Sequence, residues 1–136
     1  MLTNDEFIQQ FLDGTLESFH HSDHVKMAWL YLHRYELPEA IAQFTRALKR
    51  FATAKGAPNL YHETITWAFM LLINQRIQSA SEPGWEAFTM QNPDLLNWEK
   101  NVLHQFYRKE TLQSDFARRV FVFPDKVEGG SANQES

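Results

Sequence analysis

Apolar residues recur every three to four positions over most of this chain, which is the spacing of an amphipathic α-helix. The third predicted helix illustrates the pattern, because Ile41, Phe44, Leu48 and Phe51 fall on one helical face. Convincing alternation of apolar and polar residues, the mark of a half-buried strand, is absent. We therefore expect an all-α fold, a single-domain antiparallel helical bundle of about five to seven helices.

Capping residues and helix breakers predict the helix ends. "TNDE" indicates a capping box that starts the first helix at Thr3, and Gly14 ends that helix. Pro38 suits the first turn of the third helix. The sixth helix is expected to bury Trp98 and Phe106. In chain order the predicted helices cover about 3–13, 20–35, 38–55, 59–79, 85–90, 94–107 and 111–120.

Length and composition limit the domain organisation. The chain has 136 residues, of which 43% are hydrophobic and 14% aromatic, as in a folded protein. We expect one helical bundle domain over 1–127 and a disordered tail over 128–136, where the residues are small and polar.

Charge, cysteine content and hydropathy argue against several function classes. The net charge of −4 offers no basic field for nucleic acid, and the absence of cysteine excludes disulfides and thiolate metal sites. The longest apolar stretch, "WAFMLLI", is too short to cross a bilayer. The N-terminus lacks the features of a signal peptide, so we expect a cytoplasmic protein without a membrane partner.

The heptapeptide "FHHSDHV" places three histidines at the start of the second helix. His20 is expected to cap that helix opposite Asp23, and the i, i+3 spacing puts His21 and His24 on one face. Short connections make helices two and four parallel, so His62, at the start of the fourth helix, is expected at the same end of the bundle.

This histidine end predicts a pocket. His21, His24 and His62 could ligate a divalent metal (zinc, nickel or iron) with one position open for a small molecule. Glu63 and Thr66 are expected in supporting roles. The phenols of Tyr31 and Tyr61 could donate to the ligand. Whether His20 joins the site is left open.

Several alternatives stand beside the metal site. The same residues could form a metal-free polar pocket, or the histidines could serve the fold alone in a non-enzymatic ligand-binding or protein-interaction module. Positive helix ends also favour an anion. Arg118 or Arg119 could pair with an acid, or return to the histidine end and clamp a carboxylate. The sequence does not decide whether the chain is an enzyme, and a homodimer is compatible with its aromatic content.

Three stretches carry a resemblance, "HSDHVKMAWLYL", "YHETITWAFMLLI" and "ETLQSDFARRVFVFPD". Together they resemble a small bacterial all-helical family with an H-x-x-H…Y-H-x-T-I-T pattern, over roughly 19–125. The family has histidines matching His21, His24 and His62, and a hydroxyl residue where this chain has His20. The resemblance implies those three histidines as the shared set and implies no activity.

Overall fold

A computed structural model describes residues 1–126, and within them the regular elements are all helices, with no strands. The predicted all-α fold is confirmed. The predicted tail, and the domain end at position 127, lie outside the described residues. The α-helices are α1 (Asn4–Asp13), α2 (His21–Arg34), α3 (Leu37–Ala54), α4 (Glu63–Gln78), α5 (Trp85–Gln91), α6 (Pro93–Leu96), α7 (Lys109–Gln113) and α8 (Asp115–Arg119).

Both ends of α1 follow the predicted chemistry. The Thr3 hydroxyl accepts a hydrogen bond from the Glu6 amide at 3.1 Å, and the Glu6 carboxylate accepts from the Thr3 amide at 2.9 Å. Gly14 ends the helix with a positive φ of 74°. A Cβ added there would lie 2.9 Å from the Cβ of Ala54, so the glycine also permits the close approach of α3.

Helices α2, α3 and α4 form the centre of the molecule, and each contacts the other two. Helix α1 closes one side through Phe11, which is 1% exposed. The Phe11 ring centroid lies 5.1 Å from that of Phe19, 6.0 Å from that of Phe44 and 5.3 Å from that of Phe51. This aromatic packing fixes Phe19, and with it the chain entering α2.

The single helix predicted over 94–107 is wrong. Helix α6 ends at Leu96, and only a 3₁₀ turn follows, over Val102–Gln105. Asparagine side chains explain the break: Asn97 accepts from the Lys100 amide and Asn101 from the Leu103 amide, at 3.0 and 2.9 Å. These bonds replace helical backbone bonds.

Two residues expected inside that helix are consequently more exposed than predicted. Trp98 is 50% exposed and Phe106 is 36% exposed. A smaller correction concerns the stretch before α4, where Pro58–Leu60 forms a 3₁₀ turn and α4 begins only at Glu63. The predicted last helix is divided into α7 and α8 by Ser114, whose hydroxyl caps α8 through the Ala117 amide at 3.1 Å.

After α8 the chain runs without regular structure over 120–126 and is tied to α4 and to the segment that precedes α7. The hydroxyl of the fully buried Thr64 donates to the Val120 carbonyl at 2.9 Å and accepts from the Val122 amide at 3.2 Å. The Tyr107 hydroxyl donates to the Val122 carbonyl at 2.7 Å. None of the helices within 1–126 combines the length and apolar character needed to span a bilayer.

Candidate functional site

A cavity of about 510 Å³ lies between α2, α3 and α4, within the size range of small-molecule pockets. It includes the first turns of α2 and α4 and the last turn of α3. Five residues predicted for the site line it, namely His21, His24, Tyr61, His62 and Thr66. The first turns of α2 and α4 therefore border the same cavity, as the sequence predicted.

The walls of the cavity are mostly apolar. Buried side chains from all three central helices contribute, together with half-buried and exposed ones. The apolar lining residues are Phe19, Val25, Ala28, Phe44, Leu48, Phe51, Ala52, Ala57, Leu60, Ile65, Phe69, Met70, Ile73 and Trp98. The polar groups are few, and in small-molecule pockets a few polar groups typically fix the orientation of a mainly apolar ligand.

His62 is buried, and its ring is engaged at both nitrogens. Nδ1 accepts from the Ile65 amide at 3.1 Å, which caps α4, and Nε2 donates to the Leu112 carbonyl at 2.7 Å. An amide only donates and a carbonyl only accepts, so these bonds require the neutral tautomer with the proton on Nε2. Burial lowers the pKa of His62, which agrees with the neutral ring.

His21 uses one ring nitrogen for the fold. Nε2 donates to the Leu95 carbonyl at 2.8 Å and so ties α2 to α6. The ring packs against both Phe69 and Trp98, with centroid distances of 5.1 and 5.0 Å. Burial lowers the pKa of His21, partly opposed by the bond to Leu95. Nδ1 is therefore left as an unprotonated acceptor.

His24 differs from the other two histidines because no described residue forms a hydrogen bond with its ring. The ring packs on Phe19 with the centroids 4.2 Å apart and lines the cavity. Burial, with a further contribution from nearby His21, lowers the pKa of His24 to about 4. The ring is thus neutral at neutral pH and can donate one hydrogen bond and accept one.

The remaining predicted residues divide between the cavity and its surroundings. Thr66 is buried and lines the cavity. Tyr61 also lines it, and its hydroxyl donates to Glu63 Oε1 at 2.6 Å, while Glu63 itself lies outside the lining. Burial and the bond to Glu63 raise the pKa of Tyr61, so the phenol stays protonated.

Tyr31 does not belong to the cavity. It is 5% exposed and packs in the core against Phe11 and Phe44, at centroid distances of 6.4 and 5.5 Å. His20 also lies outside the lining. It is the N-cap residue of α2, and its amide donates to the Asp23 carboxylate at 2.9 Å. The predicted capping position of His20 is therefore confirmed.

Two arrangements of histidines are common in catalytic sites, a metal-binding group and a histidine paired with a side-chain oxygen. Within 1–126 no group of three or more histidine, cysteine, aspartate or glutamate side chains is arranged to hold a metal ion. No histidine ring in that range is hydrogen-bonded to a hydroxyl or a carboxylate, the pairing that activates a nucleophile. Both ring nitrogens of His62 are used within the fold, so this ring could ligate a metal only by giving up one of those hydrogen bonds.

Lys55, Phe19 and Trp98 are among the lining residues that were not predicted for the site. Lys55 ends α3 and could have been found, because an antiparallel α3 must finish where α2 and α4 begin. Phe19 opens the heptapeptide "FHHSDHV", in which only histidines were predicted for the site. Trp98 was expected within a helix core, and its position on the cavity depends on the loop that the asparagines create.

Comparisons of this chain with protein-family models, with curated proteins and with solved structures find no significant match. The resemblance to a small bacterial family therefore stays a prediction. Function has to be inferred from the cavity and the side chains that line it.

Proposed function

We propose that this protein binds a small, mainly apolar molecule in the cavity between α2, α3 and α4. The observation that carries the proposal is the cavity itself, about 510 Å³ in volume, with mostly apolar walls and its polar side chains drawn mainly from the helix ends. Apolar side chains that face a cavity make fewer packing contacts with protein atoms than side chains in a close-packed core. A ligand that fills this space would recover them.

His24 supports a ligand with one polar end. Its ring is neutral at neutral pH and has no hydrogen-bond partner among the described residues. The ring is half-buried, and a polar group withdrawn from water without a partner costs free energy. A hydroxyl, carbonyl or carboxyl group on the ligand would supply the missing bond. His62, by contrast, supports the shape of the site through its bonds to Ile65 and Leu112.

A divalent metal bound to the histidine end is the second candidate. In its favour, the His24 ring and Nδ1 of His21 both lack a protein partner in the described part of the chain, and both residues line the cavity. Zinc, nickel or iron held by these two rings would need further ligands from water or from a small molecule. His62 would remain in its capping role.

The first experiment measures binding of a neutral fluorescent probe, N-phenyl-1-naphthylamine, to the full chain. Ala52→Phe would fill the cavity from α3, whereas Ala42→Phe makes the same change at a half-buried position of α3 outside the lining. We expect saturable binding, an affinity loss of at least about tenfold in Ala52→Phe, and an affinity within about twofold of the wild type in Ala42→Phe. Absence of binding to the wild type, or an equal loss in both variants, would contradict the proposal.

The metal candidate has its own experiment. Protein purified without a histidine tag is analysed for zinc, nickel and iron, and its melting temperature is measured with and without each ion. Stoichiometric metal that is lost in His24→Ala and retained in His20→Ala would support a site at the cavity. If no metal is bound and no ion raises the melting temperature, the metal candidate is rejected and only the apolar-ligand proposal remains.

A further inference from the structure

The charged residues around the cavity are all of one sign. Of the described residues that line it, Lys55 and Arg118 carry the full charges, and none is an aspartate or glutamate. The chain as a whole has a net charge of −4, so this distribution runs against its composition. A cavity whose only charged side chains are cations attracts an anion.

Arg118 is held in place by the backbone and keeps one edge of its guanidinium available. NH1 donates to the Asn59 carbonyl at 2.6 Å and to the Tyr61 carbonyl at 3.5 Å. Nε and NH2 have no hydrogen-bond partner among the described residues. The next residue offers a contrast, because Arg119 Nε is bonded to the Asp115 carboxylate at 2.8 Å. An Nε–NH2 edge is the fork that binds a carboxylate through two parallel bonds.

Lys55 adds a second cation at the end of α3. It is exposed, and its Nζ lies 5.6 Å from the ring centroid of Phe51, another lining residue. No carboxylate lies within ion-pair distance of it in the described part of the chain. Glu63, the acid predicted for the site, lies outside the lining and accepts a hydrogen bond from the Tyr61 hydroxyl. The long helices α2 and α4 begin here and α3 ends here, so the partial positive charges of two helix ends are opposed by the partial negative charge of one.

We infer that the occupant of the cavity is an organic anion, with an apolar body between the three helices and a carboxylate that Arg118 and Lys55 receive. This inference rests on the proposed function, because it presumes that the cavity binds a ligand. The neutral rings of His21 and His24 line the same cavity and leave the anion's charge to these two cations.

The test compares three probes with the same apolar body and different polar ends: 2-naphthoate, 2-naphthylmethanol and 2-naphthylmethylamine. Binding to the full chain is measured calorimetrically at neutral pH and at two salt concentrations. We expect 2-naphthoate to bind at least about tenfold more tightly than the alcohol, and the amine to bind most weakly. Added salt should reduce the preference for the carboxylate, because it screens the cations, and should leave the affinity for the alcohol unchanged.

Variants connect that preference to the named cations. Arg118→Gln should lower the affinity for 2-naphthoate by about tenfold and leave the affinity for 2-naphthylmethanol within about twofold of the wild-type value. Arg118→Lys should restore part of the lost affinity. Arg119→Gln, one position along, is the matched control and should bind as the wild type does. Because Lys55 is exposed, Lys55→Glu tests the charge without threatening the fold, and it should reduce the carboxylate preference.

The outcomes separate the two proposals. Equal affinity for all three naphthyl compounds would overturn the anion inference and leave the apolar cavity standing. A carboxylate preference that survives in the Arg118→Gln and Lys55→Glu proteins would also overturn it. If none of the compounds binds, including the neutral probe N-phenyl-1-naphthylamine, the proposed function itself would be overturned. If Arg118→Gln does not fold, the affinities of the three naphthyl compounds for the wild type and for Lys55→Glu still test the anion inference.

Discussion

Protonation of His24 should destabilise the protein in mild acid. The pKa of this half-buried ring is lowered to about 4 in the folded state, from 6.5 in an unfolded chain. The unfolded state therefore binds more protons below pH about 6.5, and the folded state loses stability as the pH falls through this window towards about 4. Between the two pKa values, at about 1.4 kcal/mol for each pH unit, the full loss approaches about 3 kcal/mol.

The loss of stability is best measured at a pH between the two pKa values of His24. At pH about 5 the linkage relation gives a loss of about 2 kcal/mol for this single ring. His24→Gln removes the titrating group, so the stability of the variant relative to the wild type should rise by about 2 kcal/mol between pH about 7 and pH about 5. His21 is present in both proteins, and its own lowered pKa cancels from the comparison to first order.

Urea denaturation at the two pH values measures this difference. Thr66→Val is the control, because Thr66 lines the same cavity and carries no charge at either pH. Its effect on the free energy of unfolding should be the same at both values. If His24→Gln and the wild type lose stability in parallel as the pH falls, the His24 ring is not desolvated as described and the reasoning is refuted.

Three further changes test the parts that shape the site. His62→Ala should lower the free energy of unfolding in urea by about 2–4 kcal/mol, because a helix cap is lost and the Leu112 carbonyl is left unpaired; a loss below about 1 kcal/mol would contradict the capping role. Thr64→Val should speed amide hydrogen exchange at Val122 by about tenfold, since both bonds to the terminal segment disappear, and an unchanged rate would show that other contacts hold that segment. Gly14→Ala should cost about 1–3 kcal/mol in the same urea assay, from the positive φ and the close approach of α3; a neutral effect would contradict that approach.

Much of the fold is predictable from local sequence signals. The capping box at Thr3, the glycine at position 14 and the periodicity of α3 depend on neighbouring residues alone, and the structure agrees with each. The helix expected over 94–107 fails for a local reason as well. Asn97 and Asn101 bond to nearby amides, a competition that apolar periodicity does not reveal.

The site is predictable only in part, because its roles depend on distant contacts. Helix direction sufficed to bring His21, His24 and His62 to one end of the bundle. It could not show that the His62 ring reaches Leu112, fifty positions along the chain, and is thereby committed to the fold. Tyr31 illustrates the same limit, because its helical face adjoins α1 through Phe11 and not the cavity.

The central claim is that the space between α2, α3 and α4 receives a ligand, and methyl NMR tests it most directly. A titration with 2-naphthylmethanol, which does not depend on the anion inference, would follow the methyl groups of Leu48, Ile65 and Ile73 in the cavity, with Leu12 and Leu71 on the surface as references. We predict saturable shifts at the three cavity residues with one ligand bound per chain, and none at the references. Shifts confined to the surface residues, or none at all up to the solubility limit of the probe, would contradict the claim.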